Sequence, residues 1–148
     1  MAQSLARILV HLIFSTKNRQ PTITAAVQRP LHAYLATGLQ NHDCPALQVG
    51  GTADHVHALF ALARTRSLAE VVEGLKTSSS KWAKQQGLQS FAWQAGYGAF
   101  SVSESRLTAV IRYVARQAEH HRQLTFEDEL RAFLTRHGIA YDDRYVWN

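Results

Sequence analysis

Residues 46–62 constrain the fold most. Two apolar runs, 46–49 and 55–62, are separated by little more than Gly50, Gly51 and Thr52. So short a connection makes them an antiparallel hairpin. Upstream, residues 7–16 are rich in Ile, Leu, Val and Phe and read as a buried strand. A helix over 24–41 follows, because Val27, Leu31, Tyr34, Leu35 and Leu39 keep helical spacing, with Pro30 near its first turns. Downstream, Leu68, Val71, Val72, Leu75, Trp82 and Ala83 line one face of a helix over 67–86 that stops at Gly87. Residues 91–93 and 97–102 read as strand material around Gly96 and Gly98. The order β-α-β-β-α-β predicts an α+β fold, a ferredoxin-like or RRM-like antiparallel sheet on the split βαβ plan. Additional C-terminal helices are expected at 103–121 and 125–136, the last ended by His137-Gly138, and the aromatic segment 141–147 should pack on something.

The chain of 148 residues is expected to form one domain, 1–148, large enough to bury a core without staples. Its single cysteine, Cys44, rules out an intrachain disulfide framework and suits a reducing compartment. No stretch approaches a membrane span, and the N-terminus lacks the order of a signal peptide, so a soluble cytoplasmic protein without a membrane partner is expected. The net charge of +5 favours polyanionic partners without naming one.

The hairpin's second strand carries His55 and His57. Residues i and i+2 of a strand share a face, so both imidazoles project side by side from an otherwise apolar ribbon. That arrangement can hold a divalent cation, although the spacing by itself is not specific. On the helix over 103–121, Leu107, Val110, Ile111, Val114 and Ala118 form a core stripe. Arg106, Tyr113, Gln117 and His120 share the adjacent stripe, with Tyr113 and Gln117 one turn apart. A boundary tyrosine there either packs its ring or faces the histidine strand. Adjacent residues on a helix point about 100° apart, so His120 and His121 cannot both face one ion. His11, His32, His42 and His137 form no constellation in the sequence.

Taken in order, several segments resemble the single-tyrosine HUH transposases of bacterial insertion sequences, the IS200-like group. They are Ile13-Phe14-Ser15-Thr16-Lys17-Asn18-Arg19; Asp54-His55-Val56-His57; Leu75-Lys76 with Ser78-Ser79-Ser80-Lys81; Trp93-Gln94-Ala95-Gly96-Tyr97; and Tyr113-Val114-Ala115-Arg116-Gln117. The run Glu119-His120-His121-Arg122 through Phe126, Glu129 and Leu130 to Tyr141-Asp142 is similar to one branch of that family. Ala53 stands where the family often has proline, and Arg116 where it often has asparagine. The resemblance implies a metal-dependent endonuclease and strand-transferase for single-stranded DNA, recognising hairpins at element ends. It implies Tyr113 as nucleophile and His55, His57 and Gln117 as metal ligands. It also implies a homodimer in which the tyrosine helix of one subunit serves the histidine pair of the other.

The chemistry suits those residue types. A cation held by two neutral imidazoles and an amide oxygen keeps its full charge to polarise a phosphodiester. Such a set suits Mg²⁺ or Mn²⁺. One cysteine and no Cys/His cluster argue against zinc. A 5′-phosphotyrosine conserves the bond of the cut strand, so the freed 3′-hydroxyl can later rejoin DNA without ATP. Lys17, Arg19, Lys76, Lys81 and Lys84 are candidate phosphate contacts. Trp82 lies on an apolar stripe, Trp93 could stack on a base, and Tyr97 is a rival nucleophile. Two other readings fit the same plan: a non-catalytic single-stranded nucleic-acid-binding module of RRM-like fold, and a phosphodiesterase that hydrolyses its target with Tyr113 purely structural.

Overall fold

The computed structural model describes residues 2–121 and 123–148. Four strands form one sheet: β1 (Leu9–Ser15), β2 (Ala46–Gly51), β3 (His55–Ala61) and β4 (Gly98–Ser101). Their order is β2-β3-β1-β4 and every pairing is antiparallel. With α1 (Ala25–Asn41) between β1 and β2, and α2 (Leu68–Gln85) between β3 and β4, this is the split βαβ plan. The β2–β3 hairpin forms as its short connection requires, with one register shift between Ala46 and Gln48. A capping box between Ser67 and Glu70 starts α2. Among the described residues no helix is long and apolar enough to cross a membrane.

Strand alternation divides the molecule into two layers. Val10, Leu12 and Phe14 of β1 and Val56, Ala58 and Phe60 of β3 face α1 and α2, where Leu31, Leu35, Leu39, Val71, Val72 and Leu75 complete the main core. Burial of each such large side chain stabilises the fold by about 1.5–3 kcal/mol. The opposite face presents His11, Ile13 and Ser15 of β1 beside His55, His57 and Leu59 of β3, with Ile13 opposite His57 and Ser15 opposite His55. A one-residue slip would drive both histidines into the apolar layer, so the register that protects the core also places the pair.

The remaining helices, α3 (Leu107–Ala115), α4 (Gln117–His120) and α5 (Phe126–Arg136), follow β4. On the histidine face Ile13 and Phe100 meet Phe126, Leu130 and Leu134 of α5 in a second core. Thr125 caps α5 by accepting from the Asp128 amide. Val146 and Trp147 pack against this core, whereas Tyr141 and Tyr145 remain exposed, so only the end of the aromatic C-terminal segment finds cover.

Several expectations are corrected. The helix over 103–121 is not continuous: a 3-10 turn at Glu104–Arg106 precedes α3, and the backbone at Arg116 (φ −108°, ψ 26°) breaks it before α4. Of the expected core stripe only Val114 is buried; Leu107, Val110 and Ile111 are half-covered and Ala118 is exposed. Val114 gets close because Gly50 of β2, paired with His57, has no Cβ to collide with the Val114 carbonyl. Residues 91–93 form no strand; Trp93 makes only an isolated bridge to Thr16. Arg122, within the C-terminal run, lies outside the described residues.

Candidate metal centre and tyrosine site

The sheet delivers His55 and His57 fully buried, and α3, α4 and α5 close over them. Three Nε2 atoms converge on one carboxylate oxygen, Glu129 Oε1: His57 at 2.8 Å, His121 at 3.1 Å and His55 at 3.6 Å. The other oxygen, Oε2, accepts from the Tyr113 hydroxyl and, at 3.2 Å, from Gln117 Nε2. Gln117 Oε1 lies 3.0 Å from His55 Nε2. The ring of His120 stacks on Tyr113 with centroids 4.4 Å apart.

Outer contacts hold both imidazoles from behind. His55 Nδ1 lies 2.7 Å from Asp54 Oδ1, and Thr52 Oγ1 also donates to that oxygen. His57 Nδ1 lies 2.7 Å from His11 Nε2. The Asp54 carboxylate on His55 Nδ1 favours the tautomer that aims the His55 Nε2 lone pair inward, as second partners do for metal-ligating histidines, while the His57–His11 pair is compatible with either His57 tautomer. The His55 lone pair then faces only oxygen acceptors, Gln117 Oε1 and Glu129 Oε1. Buried His121 Nε2 is close to Glu129 yet not aligned as a hydrogen bond, and it has no other partner among the described residues. Converging acceptors at such distances require protons or a cation between them. The ligand atoms of His55, His57, His121 and Glu129 all lie within 4.8 Å of one another, so this tetrad fits a metal ion.

The electrostatics agree. Burial alone would raise the Glu129 carboxyl, but its close contacts with His121, His57 and Tyr113 outweigh it and hold the group well below the usual carboxylate range. Burial and the Glu129 carboxylate together push the Tyr113 phenol above its ordinary value, so at rest it keeps its proton. Burial lowers His57 to about 4 against the pull of Glu129, and lowers His11 to about 3, with His57 as the second cause. Burial opposes protonation of His121, but its contact with Glu129 prevails and raises it.

A stability prediction follows from these signs. His57 and His11 have folded values below 6.5, so between 6.5 and about 4 the unfolded chain binds more protons than the folded one. Glu129 is depressed too; its contribution is present above 4.5 and is lost as pH falls below that. His121, raised, opposes them in part. The metal-free protein should therefore lose roughly 1–2 kcal/mol of stability per pH unit between 6 and 4. Urea midpoints at those two values check it, and equal midpoints would contradict the burial argument.

Sequence reasoning placed Tyr113, His55, His57 and Gln117, and the fold brings all four together. It missed three partners. His11 joins His57 from β1 although its spacing suggested no constellation. His121, rather than His120, turns to the imidazole pair, with its ring centroid 4.3 Å from that of His55. Glu129 sits at the centre. One signal for it was available: Glu129 interrupts the apolar stripe Phe126, Leu130, Phe133, Leu134, and a carboxylate there must find buried partners. The argument against zinc also loses its premise, since three imidazoles and a carboxylate do gather here.

The basic candidates are scattered. Lys76 turns inward, donating to the carbonyls of Gln94 (2.8 Å), Ala95 (3.3 Å) and Gly96 (2.6 Å), and burial lowers it to about 8. Arg19 pairs with Glu127 at 2.9 Å and donates to the Trp147 carbonyl. Lys17 is exposed beyond β1, and Lys81 and Lys84 are exposed on α2, in the layer away from the histidines. Trp93 is core, wedged edge-on against Phe14 and Phe91 and donating to Ser79 Oγ. Trp82 stacks on Tyr34. Tyr97 stands beside Lys76, whose ammonium lies 5.7 Å from its ring centroid.

A histidine pair and a helical tyrosine on this sheet agree with the family comparison: the model described as "Transposase IS200 like" matches residues 4–117. The chain belongs to the IS200-like transposase family. Two solved structures share the fold. One is a candidate transposase from Deinococcus radiodurans R1, 21% identical, with a TM-score of 0.60, covering 79% of this chain and 98% of that one. The other is a REP-associated tyrosine transposase bound to a REP hairpin, 12% identical, with a TM-score of 0.60, covering 84% of this chain and 76% of that one. No curated protein matches the chain. The family match ends at Gln117, so this transposase draws His121 and Glu129 from outside the matched region.

Proposed function

We propose that this transposase is a metal-dependent single-stranded DNA endonuclease and strand-transferase. It cuts at hairpin-bearing element ends through a 5′-phosphotyrosine on Tyr113 and rejoins strands by the reverse attack. One observation supports this above the others: Glu129 receives the Tyr113 hydroxyl on one oxygen and His57 on the other, so nucleophile and imidazole pair share a single buried network.

His55, His57, Glu129 and His121 would hold the ion, with Gln117 beside them. A bound Mg²⁺ or Mn²⁺ supplies a Lewis acid that polarises the scissile phosphate and stabilises charge on the leaving oxygen. Tyr113 Oη attacks phosphorus and its proton passes to Glu129 Oε2. The bond to O3′ breaks as the Tyr113–phosphorus bond forms, and O3′ takes up the proton that Glu129 received, leaving as a hydroxyl and returning Glu129 to its carboxylate. His120, stacked on the phenol, orients the ring. Asp54 and His11 fix the two imidazoles from outside.

Hairpin-containing single-stranded oligonucleotides incubated with Mg²⁺ or Mn²⁺ and run on denaturing gels test the reading. A metal-dependent covalent protein–DNA adduct is expected. Cleavage without adduct would make the protein a hydrolase, and retention without cleavage would make it a binder.

The reading includes a homodimer, supported by Leu107, Val110 and Ile111 of α3 remaining half-covered. The tyrosine contacts the histidine network of its own chain, which favours a site assembled within each subunit. Mixing Tyr113→Phe with His57→Ala chains should then restore no adduct; recovered adduct would show sites shared between subunits.

A further inference from the structure

Two kinds of cavity reach the tetrad, and they differ in charge. The larger, about 690 Å³, is lined by Asp54, His121, Thr125, Phe126 and Glu127 among others, and among the described residues, which leave out Arg122, it includes no lysine or arginine. Its carboxylates are Asp54 and Glu127, the latter paired with Arg19. Along the other approach lie two adjoining cavities of about 310 and 360 Å³ that share His11, Arg106, Val110, Phe133 and Arg136. The inner one ends at Tyr113 and Glu129; the outer one ends at Phe100 and His137.

We propose that Arg106 and Arg136 clamp the backbone of a DNA strand in this groove and lead it to Tyr113. The inference rests on the reading of Tyr113 as nucleophile. The two guanidiniums come from different elements, the 3-10 turn before α3 and the last residue of α5, and meet across one groove. Neither has an acidic partner within 4.0 Å among the described residues, whereas Arg7, Arg19, Arg66, Arg131 and Arg144 each have one. Arg136 lies over the Phe133 ring, 5.4 Å from its centroid, which steadies the guanidinium at the wall. Its charge also favours the Tyr113 phenolate.

The groove matches a single strand in composition. Phe133, Val110, Ala109 and Ala132 offer apolar walls for sugar and base, and the two guanidiniums meet phosphates. Glu129 is the one carboxylate lining it, at the inner end beside Tyr113. This charge pattern brings phosphates along the arginines and a reacting phosphorus to the phenol.

Arg106→Ala, Arg136→Ala and the double variant, each in a Tyr113→Phe chain that cannot be trapped as adduct, test the clamp by fluorescence anisotropy with an unstructured oligodeoxythymidine. Each single change should raise Kd roughly tenfold, as losing a charge-assisted contact does. The slope of log K against log salt should fall by about 0.7 per guanidinium removed. Melting temperature and Mn²⁺ binding should not move. Arg29→Ala, exposed on α1 in the opposite layer, should leave Kd unchanged. A folded double variant with unaltered Kd and slope overturns the clamp, whether or not adduct chemistry occurs. Lost affinity in a protein that forms no Tyr113-dependent adduct upholds the groove as a DNA site and removes only the role of Tyr113.

Discussion

Tyr113→Phe should abolish the covalent adduct, lowering its rate of formation by about 10⁴-fold or more, the scale on which removal of a nucleophile acts. The change is close to isosteric, and the ring keeps its stacking on His120 and its edge contacts with His57 and Phe133. Only the hydroxyl that donates to Glu129 is lost. Glu129 Oε2 still accepts from Gln117, so no carboxylate oxygen is stranded. The variant should fold and bind single-stranded DNA with near-normal Kd. Adduct mass by denaturing electrophoresis and Kd by anisotropy measure the two halves separately. Adduct persisting in the variant would transfer the role to another residue, with exposed Tyr97 the first to examine.

Glu129→Ala should weaken Mn²⁺ binding by more than about 100-fold, beyond the usual effect of an outer-shell partner. Glu129 is the only anionic ligand of the tetrad, and its Oε1 lies within 3.6 Å of all three imidazole nitrogens. Gln117→Ala should cost less, because the amide is neutral and hydrogen-bonds both His55 and Glu129. Glu129→Gln separates charge from shape: it retains an acceptor for Tyr113 while removing the negative charge. Titration calorimetry or Mn²⁺ electron paramagnetic resonance compares the three variants in the absence of DNA. Complete loss of binding in Gln117→Ala, with Glu129→Ala unaffected, would restore the amide as the principal ligand and leave Glu129 as the partner of the phenol alone.

These two residues mark the boundary of what could be read from the chain. His55 and His57 lie two residues apart on a strand, so alternation places that pair, and Tyr113 and Gln117 are only four residues apart, so they stay neighbours even across the break at Arg116. Glu129 lies 72 residues from His57, its hydrogen-bond partner, on an element whose docking no local pattern states. Lys76 shows the converse. Its place on α2 suggested a phosphate contact, but it spends its ammonium on three carbonyls of a loop that returns from far along the chain.

The sequence by itself determined the β-α-β-β-α-β order, the antiparallel hairpin and the shared face of the histidines, because each follows from side-chain alternation and turn length over a few residues. Tertiary structure alone decided that His11, His121 and Glu129 enclose that pair, that the helix after β4 breaks at Arg116, and that Arg106 meets Arg136 across a groove. The physical reason is the density of the second layer. Once α5 docks Phe126, Leu130 and Leu134 against Ile13 and Phe100, Glu129 on the same stripe has nowhere to point but into the imidazoles.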